Sequence, residues 1–344
     1  MKRALFAVMA VLAASGAQAA KATAPTSSPA VAGPPAPPAT PPPPEKPALT
    51  LSIAVPPVGA TDAEAKSRDV DPAYGAYQRG FYRTALNDAQ KRLAADPENA
   101  ASLTLLGQLY TEGVAVKRDL PRASDYFRRA ASLGDANAAF ALGVNLLEGH
   151  GVAVDRPAAR KQFEAAAAKN HPGALYNLGV LTIESQAAPD FPKAVAFFRR
   201  ASDAGSADAA YSLGILYRQG RGVGQDDAEA LAWFRKAADD NNVPAMIEYA
   251  IMAFNGQGMK ADEALAARYF LKAAQRNNPV AQNRAARLLA AGRGIAPDIV
   301  EGMKWHLLAR SAGVGDAWLD GRLATLTTAQ RTAVEEAVRR YNGM

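Results

Sequence analysis

The chain has 344 residues and no cysteine, with 39 Lys and Arg against 33 Asp and Glu. Disulfides and thiolate metal sites are excluded, so the redox compartment has to be read from elsewhere in the chain. The formal charge of +6 is mild for this length but uneven: from Arg268 onward there are 12 basic and 6 acidic residues, so the last third alone is net +6.

Lys2 and Arg3 precede an apolar run from Ala4 to Ala14, and the small residues Ala17 and Ala19 follow it. This pattern predicts a secretory signal peptide over 1–19, cleaved after Ala19. The run is too short to span a bilayer, so no stable membrane anchor is expected. The mature protein is expected to be exported, periplasmic or secreted, where nucleic acid is not an expected partner.

Residues 20–69 read as a linker. Eleven prolines lie between Ala22 and Pro47 with almost no bulky apolar residue, a composition that cannot build a core. At about 3.1 Å per residue in polyproline II, these residues reach on the order of 80 Å. Leu49, Leu51, Ile53 and Val55 then alternate with small and polar residues, which predicts one short strand over 49–55.

Helical spacing begins near Asp71 with Tyr74, Tyr77, Phe81, Ala85 and Ala89, broken at Gly80. Residues 70–99 are expected to cap a repeat array over 100–316, because they match its helix spacing but lack its long turn. The repeat is visible in four columns. Gly107, Gly143, Gly179, Gly214, Ala250 and Ala286 recur every 35 or 36 residues. A second column sets an aromatic between two small residues: Phe127, Phe163, Phe198, Phe234 and Phe270 each have Ala four before and three after, and Gly302/His306/Ala309 is a degenerate sixth. Helices meeting there place one knob between two holes.

Asp119, Asp155, Asp190, Asp226, Asp262 and Asp298 form the third column. Each stands just before a second helix and is expected to cap it, with Glu229 and Glu301 completing capping boxes. Gly134, Asn170, Gly205, Asn241, Asn277 and Gly313 form the fourth, at helix ends that need a left-handed residue. After Ala317, Thr327 and Gln330 predict a capping box. Val334, Ala337, Val338 and Tyr341 give one apolar stripe, so residues 317–344 are expected to close the array.

Units of the form A-x-x-x-L-G-x-L-Y-x-x-G-x-G-V followed by A-x-x-W-F-x-K-A-A, complete from Ala209 to Ala238, resemble Sel1-like repeats, relatives of the tetratricopeptide repeat. The third unit departs, with Glu184-Ser185-Gln186-Ala187-Ala188-Pro189 in place of the Gly-x-Gly turn. The resemblance implies an all-α superhelix of αα-hairpins, about six repeats long, that serves as a scaffold for protein partners.

No catalytic constellation stands out. His150, His171 and His306 are too dispersed for a metal site. The Gly-x-Gly turns follow helices rather than strands, so they are backbone turns and not phosphate loops. No cofactor is expected. If first helices line the concave side, as the resemblance implies, the positions three before and one after the Gly column face a groove. Its middle holds Phe140, Tyr176, Tyr211, Ile215 and Ile247, with Arg218, Arg284 and Arg287 at the rim and Glu112, Glu148 and Glu184 as a short acidic row. The expectation is a non-enzymatic exported scaffold that holds a peptide or protein segment in this groove, with Phe140, Tyr176 and Tyr211 as anchors. Burial of the same side chains against neighbouring helices is the competing expectation. The alternative function is a binder of peptidoglycan or another anionic envelope polymer through the basic last third.

Overall fold

The computed structural model describes residues 71–184 and 188–343, which form sixteen helices and no strand. The expected signal peptide, proline-rich linker and strand at 49–55 lie outside the described residues. Helices α1 (Pro72–Gln78) and α2 (Tyr82–Ala95) make the N-terminal pair. Six hairpins follow: α3 (Ala100–Glu112) with α4 (Leu120–Ser132), α5 (Ala136–Glu148) with α6 (Arg156–Ala168), and α7 (Pro172–Ile183) with α8 (Phe191–Asp203). The last three are α9 (Ala207–Gln219) with α10 (Asp227–Asp239), α11 (Val243–Asn255) with α12 (Glu263–Ala274), and α13 (Pro279–Ala291) with α14 (Ile299–Ser311). Helices α15 (Ala317–Ala324) and α16 (Thr328–Tyr341) close the chain. The fold is an αα-hairpin solenoid. It divides into two compact units at Ala166/Ala167, and the same rules build each.

The hairpins close on the predicted knobs. A Cβ placed on Gly214 would stand 2.6 Å from the Phe234 ring, and on Gly107, Gly143 and Gly179 it would stand 2.6, 2.7 and 2.5 Å from Phe127, Phe163 and Phe198. Those distances are inside van der Waals contact, so each ring lies flat against bare backbone and a methyl would displace it. The sixth hairpin explains its own degeneracy. Ala286 occupies the small column there, and the glycine has moved to the facing helix: a Cβ on Gly302 would meet the Ala286 carbonyl at 3.2 Å. His306 fills the knob position and is fully buried.

The caps form as local chemistry demands. Asp119, Asp190, Asp262 and Asp298 accept from the N–H three residues on at 2.8–3.0 Å, Asp155 does so from Ala158, and Asp226 accepts from Ala228 and Glu229. The reciprocal box forms at Thr327 and Gln330. At Asp298 only the forward half is made, because the Glu301 carboxylate turns instead to Lys304 at 2.5 Å. Asn170, Asn241 and Asn277 take φ of 56°, 64° and 59°, beside Gly134, Gly205 and Gly313 at 86°, 92° and 89°.

In the Gly-x-Gly turns the two glycines have different reasons. The first, such as Gly220 at φ 67°, ends its helix in the left-handed region. The second allows contact with the preceding hairpin: a Cβ on Gly222 would stand 2.5 Å from the Phe191 carbonyl carbon, and on Gly258 2.3 Å from the Asp227 oxygen.

First helices carry polar caps too, Asn99, Asp135, Ser206, Asn242 and Asn278, and one is unusual. His171 caps α7 by accepting the Ala174 N–H on Nδ1 at 3.2 Å. Burial lowers this imidazole to about 4, which keeps the ring neutral, and the bond from Ala174 selects the tautomer whose Nδ1 accepts.

Gly214→Leu is expected to destabilise the array by roughly 1–3 kcal/mol through overpacking against Phe234, and Asp226→Ala by about 1 kcal/mol through loss of the cap; thermal melts check both. His171 binds its proton more weakly folded than unfolded, so its contribution is complete above the unfolded value of about 6.5 and declines as pH falls toward the folded value. Urea titrations at pH 7.5 and 4.5 should show a loss of up to about 2–3 kcal/mol at the lower pH from this group. His171→Asn should keep the cap and reduce that loss; equal acid sensitivity in both proteins would disprove the assignment.

Candidate functional site

Caps, turns and knobs take up most of each hairpin, which leaves the outward strip of the first helices for contact with other molecules. On these helices the residue three before the small column leans on the knob. Phe140 stands 6.0 Å from Phe163 between ring centroids, Tyr176 5.6 Å from Phe198, and Tyr211 5.7 Å from Phe234. The consequence corrects the expected anchor set. Phe140 and Tyr176 are only 6% and 8% exposed, and Ile215 5%. These side chains complete the core because their knobs draw them inward, so they offer a partner little surface. Tyr211, Ile247 and Ile251 remain half-exposed.

The unit from Ala167 onward therefore carries the site, on α9, α11 and α13. Arg218 on α9 bridges to Glu248 on α11 at 2.5 Å and lies over the Phe234 ring at 5.5 Å. Burial pushes the Tyr211 hydroxyl above its ordinary range, with Glu248 adding to the shift and Arg218 opposing it. Asp208 keeps an exposed surface and accepts from Asn242 at 2.8 Å. Its carboxyl is nevertheless raised by desolvation, which the Asn242 bond only partly offsets.

Farther along, Arg287 on α13 grips Asp316 with two bonds, at 2.5 and 2.9 Å, and Asn283 adds a third at 3.0 Å. Asp316 also caps α15 through the Trp318 and Leu319 N–H groups. Burial works against its charge, but the bonds from Arg287, Asn283 and Leu319 outweigh it and hold the carboxyl below the usual range. Arg284, on α13 between Asn283 and Arg287, is half-buried and makes no hydrogen bond or ion pair among the described residues. Desolvation lowers its affinity for the proton, Arg287 lowers it further, and Asp316 opposes both.

The expected rim thus resolves into two engaged arginines, Arg218 and Arg287, and one that is not. The acidic row is engaged at Glu112, which accepts from Tyr77 at 2.6 Å and Gln108 at 2.5 Å. Within the basic last third, Arg293 pairs with Glu263, Lys304 with Glu301, Arg310 with Asp320 and Arg339 with Glu335. Sequence reasoning placed Asn283 in the groove-facing column but missed Glu248 and Asp316. The signal for Glu248 was available: it stands 36 residues before Arg284 in the same repeat column, and 30 after Arg218.

Among the described residues no three His, Asp or Glu side chains converge as metal ligands, and no helix is long and apolar enough to cross a membrane. The histidines have separate places. His171 is a cap, His150 lies 3.5 Å from Glu148, and His306 meets Asp320 at 2.8 Å.

A family model described as Sel1 repeat matches six consecutive segments, 100–135, 136–171, 172–206, 207–242, 243–278 and 279–314. Among solved structures, a Sel1 repeat protein from Oxalobacter formigenes is 29% identical, with 71% of this chain and 100% of that chain covered at a TM-score of 0.65. A protective antigen present in uropathogenic Escherichia coli, displaying an SLR fold, is 24% identical, with 76% of this chain and 64% of that chain covered at a TM-score of 0.45. Comparison with curated proteins gives no match.

Proposed function

The chain belongs to the Sel1 repeat family, and on that premise we propose that it is a non-enzymatic, exported scaffold that holds a peptide or protein segment on the outward strip of α9, α11 and α13. One observation carries the reading. Tyr211, Ile247 and Ile251 stay half-exposed at positions where other hairpins bury their equivalents, such as Phe140, Tyr176 and Val180. Retained apolar surface beside fixed charges is the arrangement that protein partners use, with an apolar centre and a polar rim. The Arg218–Glu248 and Arg287–Asp316 pairs supply that rim in a preset geometry.

Binding of peptidoglycan or another anionic polymer finds less support. Such a polymer needs a row of available cations, and five of the twelve in the basic third, Arg287, Arg293, Lys304, Arg310 and Arg339, are paired with carboxylates, which interrupts any such row. Export rests on the leading segment, Lys2 and Arg3 ahead of the apolar run and the small residues at Ala17 and Ala19.

A photo-reactive amino acid at Ile247 should crosslink one discrete protein in cells, whereas the same group at Arg235, on the exposed side of α10, should not. Tyr211→Ala, which also gives up the contact with Phe234, should reduce the Ile247 crosslink several-fold while circular dichroism shows the array still folded at the temperature of the experiment. Equal products from both positions would count against the strip. The mature protein recovered from the cell envelope should begin at Ala20 by N-terminal sequencing; a start at Met1 would sink the export reading.

A further inference from the structure

Arg284 is the feature that neither the fold nor the repeat explains. It is half-buried, and unlike Arg218 and Arg287 it has no carboxylate, carbonyl or aromatic partner among the described residues. Each neighbouring acid that might serve is committed. Glu248, at the equivalent position of the preceding hairpin, is held by Arg218. Asp316 is held by both arms of Arg287, by Asn283 and by the start of α15. Of the three rim arginines, Arg218 and Arg287 are each matched by a carboxylate, and Arg284 is not. A guanidinium removed from water without a counter-charge destabilises the free protein.

We infer that Arg284 is the recognition point for a single carboxylate side chain, Asp or Glu, carried on an otherwise apolar segment of a protein partner that lies along Tyr211, Ile247 and Ile251. This rests on the reading of the same strip as a docking surface, and specifies what docks there. The charge balance selects the ligand. One unmatched guanidinium is neutralised by one monoanion, while a dianion such as a phosphate group would leave a second negative charge beside Asp316 without a counter-charge. A polyanion would need further unpaired cations beside it, and Arg218 and Arg287 are occupied. A planar guanidinium takes a carboxylate through two parallel bonds, which fixes register as well as sign.

The test selects a peptide-display library on the immobilised full chain and measures the affinity of the enriched peptides by fluorescence anisotropy. Expected winners carry one Asp or Glu among apolar residues. Arg284→Met, or Glu→Gln in the peptide, should each weaken binding at least about tenfold, and the two changes together should cost little more than either alone. Because the charge is unpaired in the free protein, Arg284→Met should melt at or above the wild-type temperature. A clear fall in melting temperature would make the guanidinium structural and overturn the inference. Peptides that depend on Tyr211 but tolerate both Arg284→Met and Glu→Gln would remove the carboxylate and leave the strip standing. Acidic peptides that depend on Arg284 but tolerate Tyr211→Ala and Ile247→Ala would keep the carboxylate site and remove the apolar strip. If polyglutamate competes as well as the selected peptides, the surface is an unspecific anion binder and the inference fails.

Discussion

An aromatic ring pressed on bare backbone sets the spacing of this array. At Gly214 the Phe234 ring occupies the space that a Cβ would fill, so the two helices of the hairpin approach more closely than any side chain at that position would allow. That closeness fixes what surrounds it. The alanines flanking Phe234, Ala230 and Ala237, are fully buried, as are their counterparts around Phe127 and Phe163 in the other unit. The second turn glycine extends the same economy to the next contact, where Gly222 lies on the backbone of Phe191 and Gly258 on that of Asp227. Neither close approach tolerates a side chain. The sixth hairpin keeps the crossing by exchanging sides, with Ala286 and Gly302 in place of Gly and Ala. The constraint is thus on the sum of the facing side chains, and not on glycine at one position.

The knob also decides which surface is left. A ring laid on the first helix attracts the aromatic one turn earlier on that helix, since edge and face contacts between rings add to simple burial. Phe140 and Tyr176 follow this attraction into the core. Tyr211 makes the same contact with Phe234 yet stays half-exposed. In the next hairpin an isoleucine, Ile247, takes the equivalent position and also remains half-exposed. Apolar surface therefore remains where Tyr211 and Ile247 keep part of their exposure, beside the Arg218–Glu248 pair.

Caps, helix ends and turns were legible because each depends on a few consecutive residues. An Asp before a helix, an Asn in the left-handed region and a Gly between two helices each have one strong local reason to be there. The Phe–Gly crossing was legible because the first four hairpins all write it, with Ala250 and Ala286 in the glycine's place in the last two. Burial of Phe140 and Tyr176 was legible only as one of two competing expectations, since it depends on how far a side chain turns toward a helix some 20 residues away. The Arg287–Asp316 grip was also hidden. It joins residues 29 apart, and Asp316 reads in sequence as one more polar residue after the last repeat. The half-made box at Asp298 shows the limit even of local reasoning. Glu301 had two suitable partners within reach, the cap N–H and Lys304, and the full charge won.

A repeat array states its architecture many times and its function in the positions that refuse to repeat. The column two before the small residue reads Leu105, Ala141, Asn177, Ser212, Glu248 and Arg284, a run from apolar through neutral polar to charged. Nothing in the hairpin requires that progression, because the crossing is complete without it. Glu248 satisfies Arg218 across to the preceding first helix, whereas no acid one hairpin onward is free to do the same for Arg284: the place belongs to Asp316, which Arg287 and Asn283 already hold. A chain under pressure for stability alone would replace such a guanidinium with an uncharged side chain of similar length, since half-buried charge without a partner opposes folding. Its presence is accounted for when the missing carboxylate belongs to another molecule, and the same vacancy that weakens the free array then gives the complex its register.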